Sequence, residues 1–208
     1  MSQAAEHRWN ELEISLKNFA EKHPEQRSTA DRMLRFIRTH ENCFERCCRP
    51  GHITGSAWLL SPGGDKILLT LHRKLQRWLQ TGGHADGNPR PLEVALREAE
   101  EESGISGIQP VSPEIFDIDI HLIPENATKG EPAHYHYDIR YLLRAPHEQF
   151  TISEESVALQ WWSREDFSTR QTELDESVTR MAERYFGREV PSCVYARANS
   201  IDLREGLM

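Results

Sequence analysis

Apolar residues along the chain follow two spacings, and the change between them divides the sequence. Up to about residue 50 the spacing is helical. Trp9, Leu12, Leu16 and Phe19 recur at offsets of three and four, and Met33, Phe36, Ile37 and Phe44 do so again. His23-Pro24-Glu25 interrupts the first run, and Ser28-Thr29-Ala30-Asp31 reads as the cap and acidic first turn of the second. Two short amphipathic helices are marginal alone in water, so they are expected to pack on the rest of the chain or on a second subunit.

From residue 53 the period shortens. Residues 53–60 and 66–71 are strand-like, joined by the turn sequence Ser61-Pro62-Gly63-Gly64-Asp65. Residues 75–80 lead into the pair Gly82-Gly83. A helix is predicted over 91–103, with Leu92, Ala95, Leu96 and Ala99 on one apolar stripe. Pro91 suits its first turn, and Gly104 supplies an inexpensive left-handed end.

Residues 116–122 and 134–141 alternate strictly. Phe116, Ile118, Ile120 and Leu122 share one face of the first, and Tyr135, Tyr137, Ile139 and Tyr141 one face of the second. Residues 124–132 connect them as an antiparallel hairpin. A strand over 157–162 and a helix from about 171 to 185 follow. Val190, Val194, Tyr195, Ile201 and Leu203 are scattered in a tail expected to dock on the chain or across a homodimer.

Composition narrows the function classes. The chain has 208 residues, enough for one core with an extension. Its net charge of −8, without a block of Lys or Arg, argues against nucleic acid and anionic membranes as partners. The N-terminus lacks the apolar core of a signal peptide, and no apolar run approaches membrane-spanning length, so a cytoplasmic location is expected. Four cysteines do not make a disulfide scaffold in a chain this size. Cys43, Cys47 and Cys48 offer three thiols and no nearby fourth ligand, so they read as free thiols on a helix.

The chemistry concentrates in the helix over 91–103. Glu98, Glu101 and Glu102 cluster on a face away from the apolar stripe. Like charges at these spacings repel, and two readings account for them: a solvated acidic face, or a site for a hard divalent cation. The order of the residues favours the second. Gly83, followed by Arg97-Glu98-Ala99-Glu100-Glu101-Glu102-Ser103-Gly104-Ile105, closely resembles the signature of Nudix hydrolases. One position departs from it: Pro89 stands where the signature has its first glutamate. Glu93, four residues before Arg97, is the expected substitute partner for that arginine.

The resemblance implies an α/β/α sandwich with a mixed sheet over residues 51–187. Residues 1–50 would be a helical N-terminal extension and 188–208 a C-terminal tail. It further implies Mg²⁺ or Mn²⁺ on Glu98, Glu101 and Glu102, with Arg97 orienting the glycine loop. Hydrolysis would sever the pyrophosphate link of a small nucleoside diphosphate derivative: a nucleotide sugar, a dinucleotide or a modified nucleotide. Glu101 or Glu155 would act as the base, with Glu154 as the alternate to Glu155; Gly83 and His84 would line the substrate. Two other classes share these features, a catalytically weak nucleotide-binding module and an isopentenyl-diphosphate isomerase. The isomerase has a cysteine where this chain has Gly82.

A second cluster lies on the polar sides of the predicted hairpin. Asp117, Asp119 and His121 would lie beside His134, His136, Asp138 and Arg140. Such a face is either the wet side of an antiparallel sheet or a contact surface for substrate. Substrate contact is the expectation here, with Arg140 gripping phosphate and His134 and His136 bonding a ribose or base. A soft-leaning metal on His134 and His136 would need a third ligand.

Overall fold

The computed structural model describes residues 3–73, 76–126, 130–152 and 156–187, without the side chains of residues 3–10 and 156. The side chain of Trp9, Leu75, the carboxylates expected at Glu154 and Glu155, and the apolar residues of the expected tail lie outside that set.

Helices α1 (Gln3–Lys22) and α2 (Arg27–Thr39) are separated by a single 3₁₀ turn at Pro24–Gln26. The second helix begins at Arg27 with Gln26 as its cap residue, two positions before the predicted cap Ser28. No side chain caps it; Gln26 instead donates to the Ile118 carbonyl at 2.8 Å. A tertiary hydrogen bond has displaced the local cap. Strands β1 (Gly51–Leu60), β2 (Lys66–His72), β3 (Trp78–Leu79) and β4 (Thr81–His84) precede helix α3 (Pro91–Ser103). Strands β5 (Gln109–Ile123), β6 (His134–Arg144) and β7 (Ser156–Ser163) then lead to α4 (Arg164–Thr169) and α5 (Glu176–Phe186). Gly104 ends α3 at φ 67°, in the left-handed region.

The sheet is mixed and splits around β1. Its order runs β3-β2-β1-β6-β5, with β6 parallel to β1 and antiparallel to β5. The other edge of β1 is shared. Its C-terminal end pairs with β2 through Leu59 and Leu60, while residues 54–57 pair antiparallel with β4. Strand β7 continues the sheet from β2. This division brings the glycine pair of β4 beside the middle of β1.

Helices cover both faces, giving an α/β/α sandwich. On one face α1, α2 and α3 pack over Ile53, Ala57, Leu59, Tyr137, Ile139 and Tyr141 in one buried cluster. The rings of Phe36 and Tyr137 stack at 3.8 Å, fixing α2 to the sheet. The N-terminal helices therefore close the core of this chain. Cys43 and Cys48 are buried in the same cluster and Cys47 is exposed; all three sit in the turns after α2 rather than on a helix. On the other face α4 and α5 cover Trp58, Leu60, Ile67, Leu69 and Trp162. Ser163 and Asp166 form a reciprocal capping box at the start of α4.

Candidate active site

Three rungs of the sheet carry the polar residues of the α5 side, and each rung holds a different chemistry. Ser56, Arg140 and Asp117 lie side by side across β1, β6 and β5; Thr54, Asp138 and Asp119 form the next rung, and His52, His136 and His121 the third. Moving along β1 from its C-terminus, the face passes from apolar packing through ion pairs to histidines.

The ion-pair rungs are buried at Arg140, Asp117 and Asp138, and only Asp119 at their edge is partly exposed. Arg140 is 1% exposed and donates to Asp138 at 2.6 Å and to Asp117 at 3.2 Å. Asp138 also accepts from Thr54 Oγ1 at 2.8 Å and Ser56 Oγ at 2.7 Å. Asp117 accepts from Arg180 and Arg184 of α5 at 2.8 Å each, and Arg184 reaches Gln26 at 2.6 Å. This setting does not suit the phosphate-gripping role expected of Arg140: its donors face three aspartates under a helix, not an open surface. Burial opposes its charge, but Asp138, Asp117 and Asp119 outweigh that and raise its pKa further. Asp119 is pulled down to about 2; burial opposes this, and the bond from His121 with the fields of Arg140 and Arg180 overcomes it.

The carboxylate face of α3 lies against β4. Glu102 Oε1 accepts from the Gly82 N–H at 2.8 Å. Gly83 approaches the Glu98 carboxylate so closely that a β-carbon there would overlap it. Arg97 donates to the His84 carbonyl and to Glu98 Oε1, both at 2.7 Å, and so ties the strand to the helix. Glu93 does not partner Arg97; it pairs with Arg90 at 2.9 Å and accepts from Asn88 at 3.1 Å. With proline at position 89, Arg97 is held by its neighbour Glu98 and a backbone carbonyl instead. Glu98 is largely buried, and its pKa is raised by that burial, lowered by Arg97 and raised again by Glu101. Glu101 is exposed on the same helix.

A model of the NUDIX domain matches residues 52–184. The chain belongs to the Nudix family. A "Probable DHNTP pyrophosphohydrolase" of Lactococcus lactis is 32% identical over 90 residues, 43% of this chain and 53% of that protein. The chain thus spans about half the length of the curated relative it matches. Among solved structures, a Nudix-family hydrolase from Clostridium perfringens is 27% identical with a TM-score of 0.50, covering 65% of this chain and 96% of that one. A candidate asymmetric diadenosine tetraphosphate hydrolase from Jonesia denitrificans has a TM-score of 0.52 at 15% identity, covering 65% and 94%, a likeness of fold.

Within this Nudix chain, Gly83, His84, Arg97, Glu98 and Glu102 come together, while Arg140 is turned inward. His84, His134 and His136 are neighbours, and sequence reasoning missed their fourth member. His52 lies between them, its ring 4.9 Å from those of His84 and His134 and 4.8 Å from His136. The signal was present in Gly51-His52-Ile53-Thr54-Gly55-Ser56, where polar residues occupy every second position. Burial first, and then the charges of neighbouring histidines and Arg46, push His52 and His84 down to about 4. No helix among the described residues is long and apolar enough to cross a membrane.

Proposed function

We propose that this Nudix chain is a pyrophosphohydrolase acting on a small nucleoside diphosphate derivative, with Glu98, Glu101 and Glu102 holding a Mg²⁺ or Mn²⁺ ion. The observation that supports this most is the approach of Gly82 and Gly83 to Glu102 and Glu98. The donor set is oxygen only, which suits a hard ion. The Glu98 pKa is raised first by burial and further by Glu101, with Arg97 opposing both, so a bound cation would favour its charged form. The residues present therefore fit the ion.

When bound, the ion would neutralise phosphate oxygens and lower the pKa of a water. Arg97 serves by position: it fixes the strand carrying Gly82 and Gly83 against α3, so the carboxylates keep their places between turnovers. The bare Cα of Gly83 leaves the Glu98 carboxylate room that any larger residue would fill. A carboxylate must accept the proton of the attacking water. Glu101 on α3 and Glu155, which precedes β7 in the sequence, are the two we assign to that role, with single glutamine variants to separate them. Residues 1–50 are read as an N-terminal extension that completes the core, and residues 188–208 as the C-terminal tail.

Phosphate release from a panel of substrates tests the proposal. The panel holds nucleotide sugars, dinucleoside polyphosphates, modified nucleoside triphosphates and, because of the Lactococcus relative's name, dihydroneopterin triphosphate. Turnover of at least one class with Mg²⁺ or Mn²⁺, abolished by EDTA, is expected. Thermal stabilisation by a nucleotide without any cleavage would instead favour the binding module.

A further inference from the structure

Four histidines from three strands meet on the sheet face opposite α3, and nothing in the proposed hydrolysis uses them as a group. Neighbouring residues on a strand alternate faces. Gly83 is turned toward Glu98, so the His84 side chain projects to the other side of β4, toward β1 and β6. There one ligand nitrogen from each of His52, His84 and His136 lies within 4.8 Å of the other two.

Two features separate this cluster from ordinary packed histidines. The first is unmet bonding. His52 is 3% exposed, yet both its ring nitrogens lack a hydrogen-bond partner, as does the buried Nε2 of His136. A buried polar group left unpaired is costly, so proteins rarely leave several together. The second is the support behind the flanking rings. His134 Nδ1 lies 2.8 Å from the Pro132 carbonyl, which can only accept, so that nitrogen carries the proton and Nε2 keeps its lone pair. His121, 5.4 Å from His136, is held the same way by Asp119 at 3.0 Å. These acceptors fix the two imidazoles that border the group and leave the unpartnered nitrogens of His52 and His136 facing one another between them.

We propose that His52, His84 and His136 bind a zinc-class divalent ion, at a site distinct from the carboxylates of α3. Three neutral imidazoles suit a borderline ion such as Zn²⁺ and are poor ligands for Mg²⁺. Tetrahedral binding at about 2.0–2.1 Å draws the nitrogens to about 3.4 Å apart, a closure on the order of an ångström through ring rotation. His134 is the nearest further imidazole for a fourth position. The ion joins β1, β4 and β6 at the point where β4 carries the glycine pair, so it braces the strand that Arg97 holds from the other side. The proposal does not depend on the hydrolase reading.

The test uses the full chain, stripped with a chelator, dialysed, and titrated with Zn²⁺ alone against a chromogenic chelator. One Zn²⁺ per chain is expected, with a rise in thermal midpoint on binding. Affinity should fall at least about 100-fold in His52→Gln and in His136→Gln, and stay unchanged in a Glu101→Gln, Glu102→Gln double variant. Co²⁺ in the unaltered chain gives a readout that does not rely on the variants folding. Intense visible bands of a four- or five-coordinate, nitrogen-rich site are expected. Absence of stoichiometric Zn²⁺ binding, retention of full affinity in both histidine variants, or only the weak bands of octahedral oxygen-bound Co²⁺ would overturn it.

Discussion

Gly83 lies against the Glu98 carboxylate with no space between them for a β-carbon. That contact joins the two halves of the signature, the glycine strand and the acidic helix, and makes residue 83 a gauge of how tightly the site is set. In Gly83→Ala the added methyl must push the end of Glu98 aside, because β1 holds β4 in register. Carboxylate displacements near an ångström cost up to about 100-fold in rate. We expect kcat/KM to fall at least about tenfold while stability changes by less than about 1 kcal/mol. Steady-state kinetics beside urea unfolding check both halves of the expectation.

Arg140 is expected to matter for stability. Arg140→Met leaves Asp138 buried with neutral donors only, since Thr54, Ser56 and Gln80 are its other partners. Removing one member of a buried ion network costs about 3–5 kcal/mol. Equilibrium urea unfolding should show that loss. A change confined to KM, with stability intact, would restore the phosphate-binding role.

Acid should weaken the same network through Asp119. Its folded pKa of about 2 lies below the unfolded value of about 3.9, so its contribution is complete above about pH 5 and is lost as pH falls through about 2. The contribution is on the order of 2–3 kcal/mol. Unfolding free energy measured from pH 5 to 2 should drop more steeply in the unaltered chain than in Asp119→Asn. Parallel curves would rule this out.

Much of this fold was legible from spacing. Helix α3 declared itself through its apolar stripe, Pro91 and Gly104, and the hairpin of β5 and β6 through strict alternation. What was missed was decided by distant parts of the chain. Arg140 reads locally as an open strand residue, and only the docking of α5, with Arg180 and Arg184, converts its rung into a buried network. Strand β5 starts at Gln109, ahead of the predicted 116, because Pro110 and Pro113 disguise an edge strand as a loop. His52 went unnoticed because the strand was expected to start at residue 53, whereas β1 starts at Gly51 and carries His52 on the same face as Thr54 and Ser56. The replacement of Glu93 by Glu98 as the partner of Arg97 depends on where β4 presents the His84 carbonyl, which helical offsets do not encode.

The most direct test of the central claim is Mg²⁺-dependent turnover of the best panel substrate by the Glu101→Gln, Glu102→Gln double variant. Each change keeps the shape of the side chain and removes a charge. In that variant kcat is expected to fall at least about 1,000-fold while the thermal midpoint stays within a few degrees of the unaltered chain. Turnover within a few-fold of the unaltered chain, with the metal requirement intact, would contradict it and move the reaction away from α3.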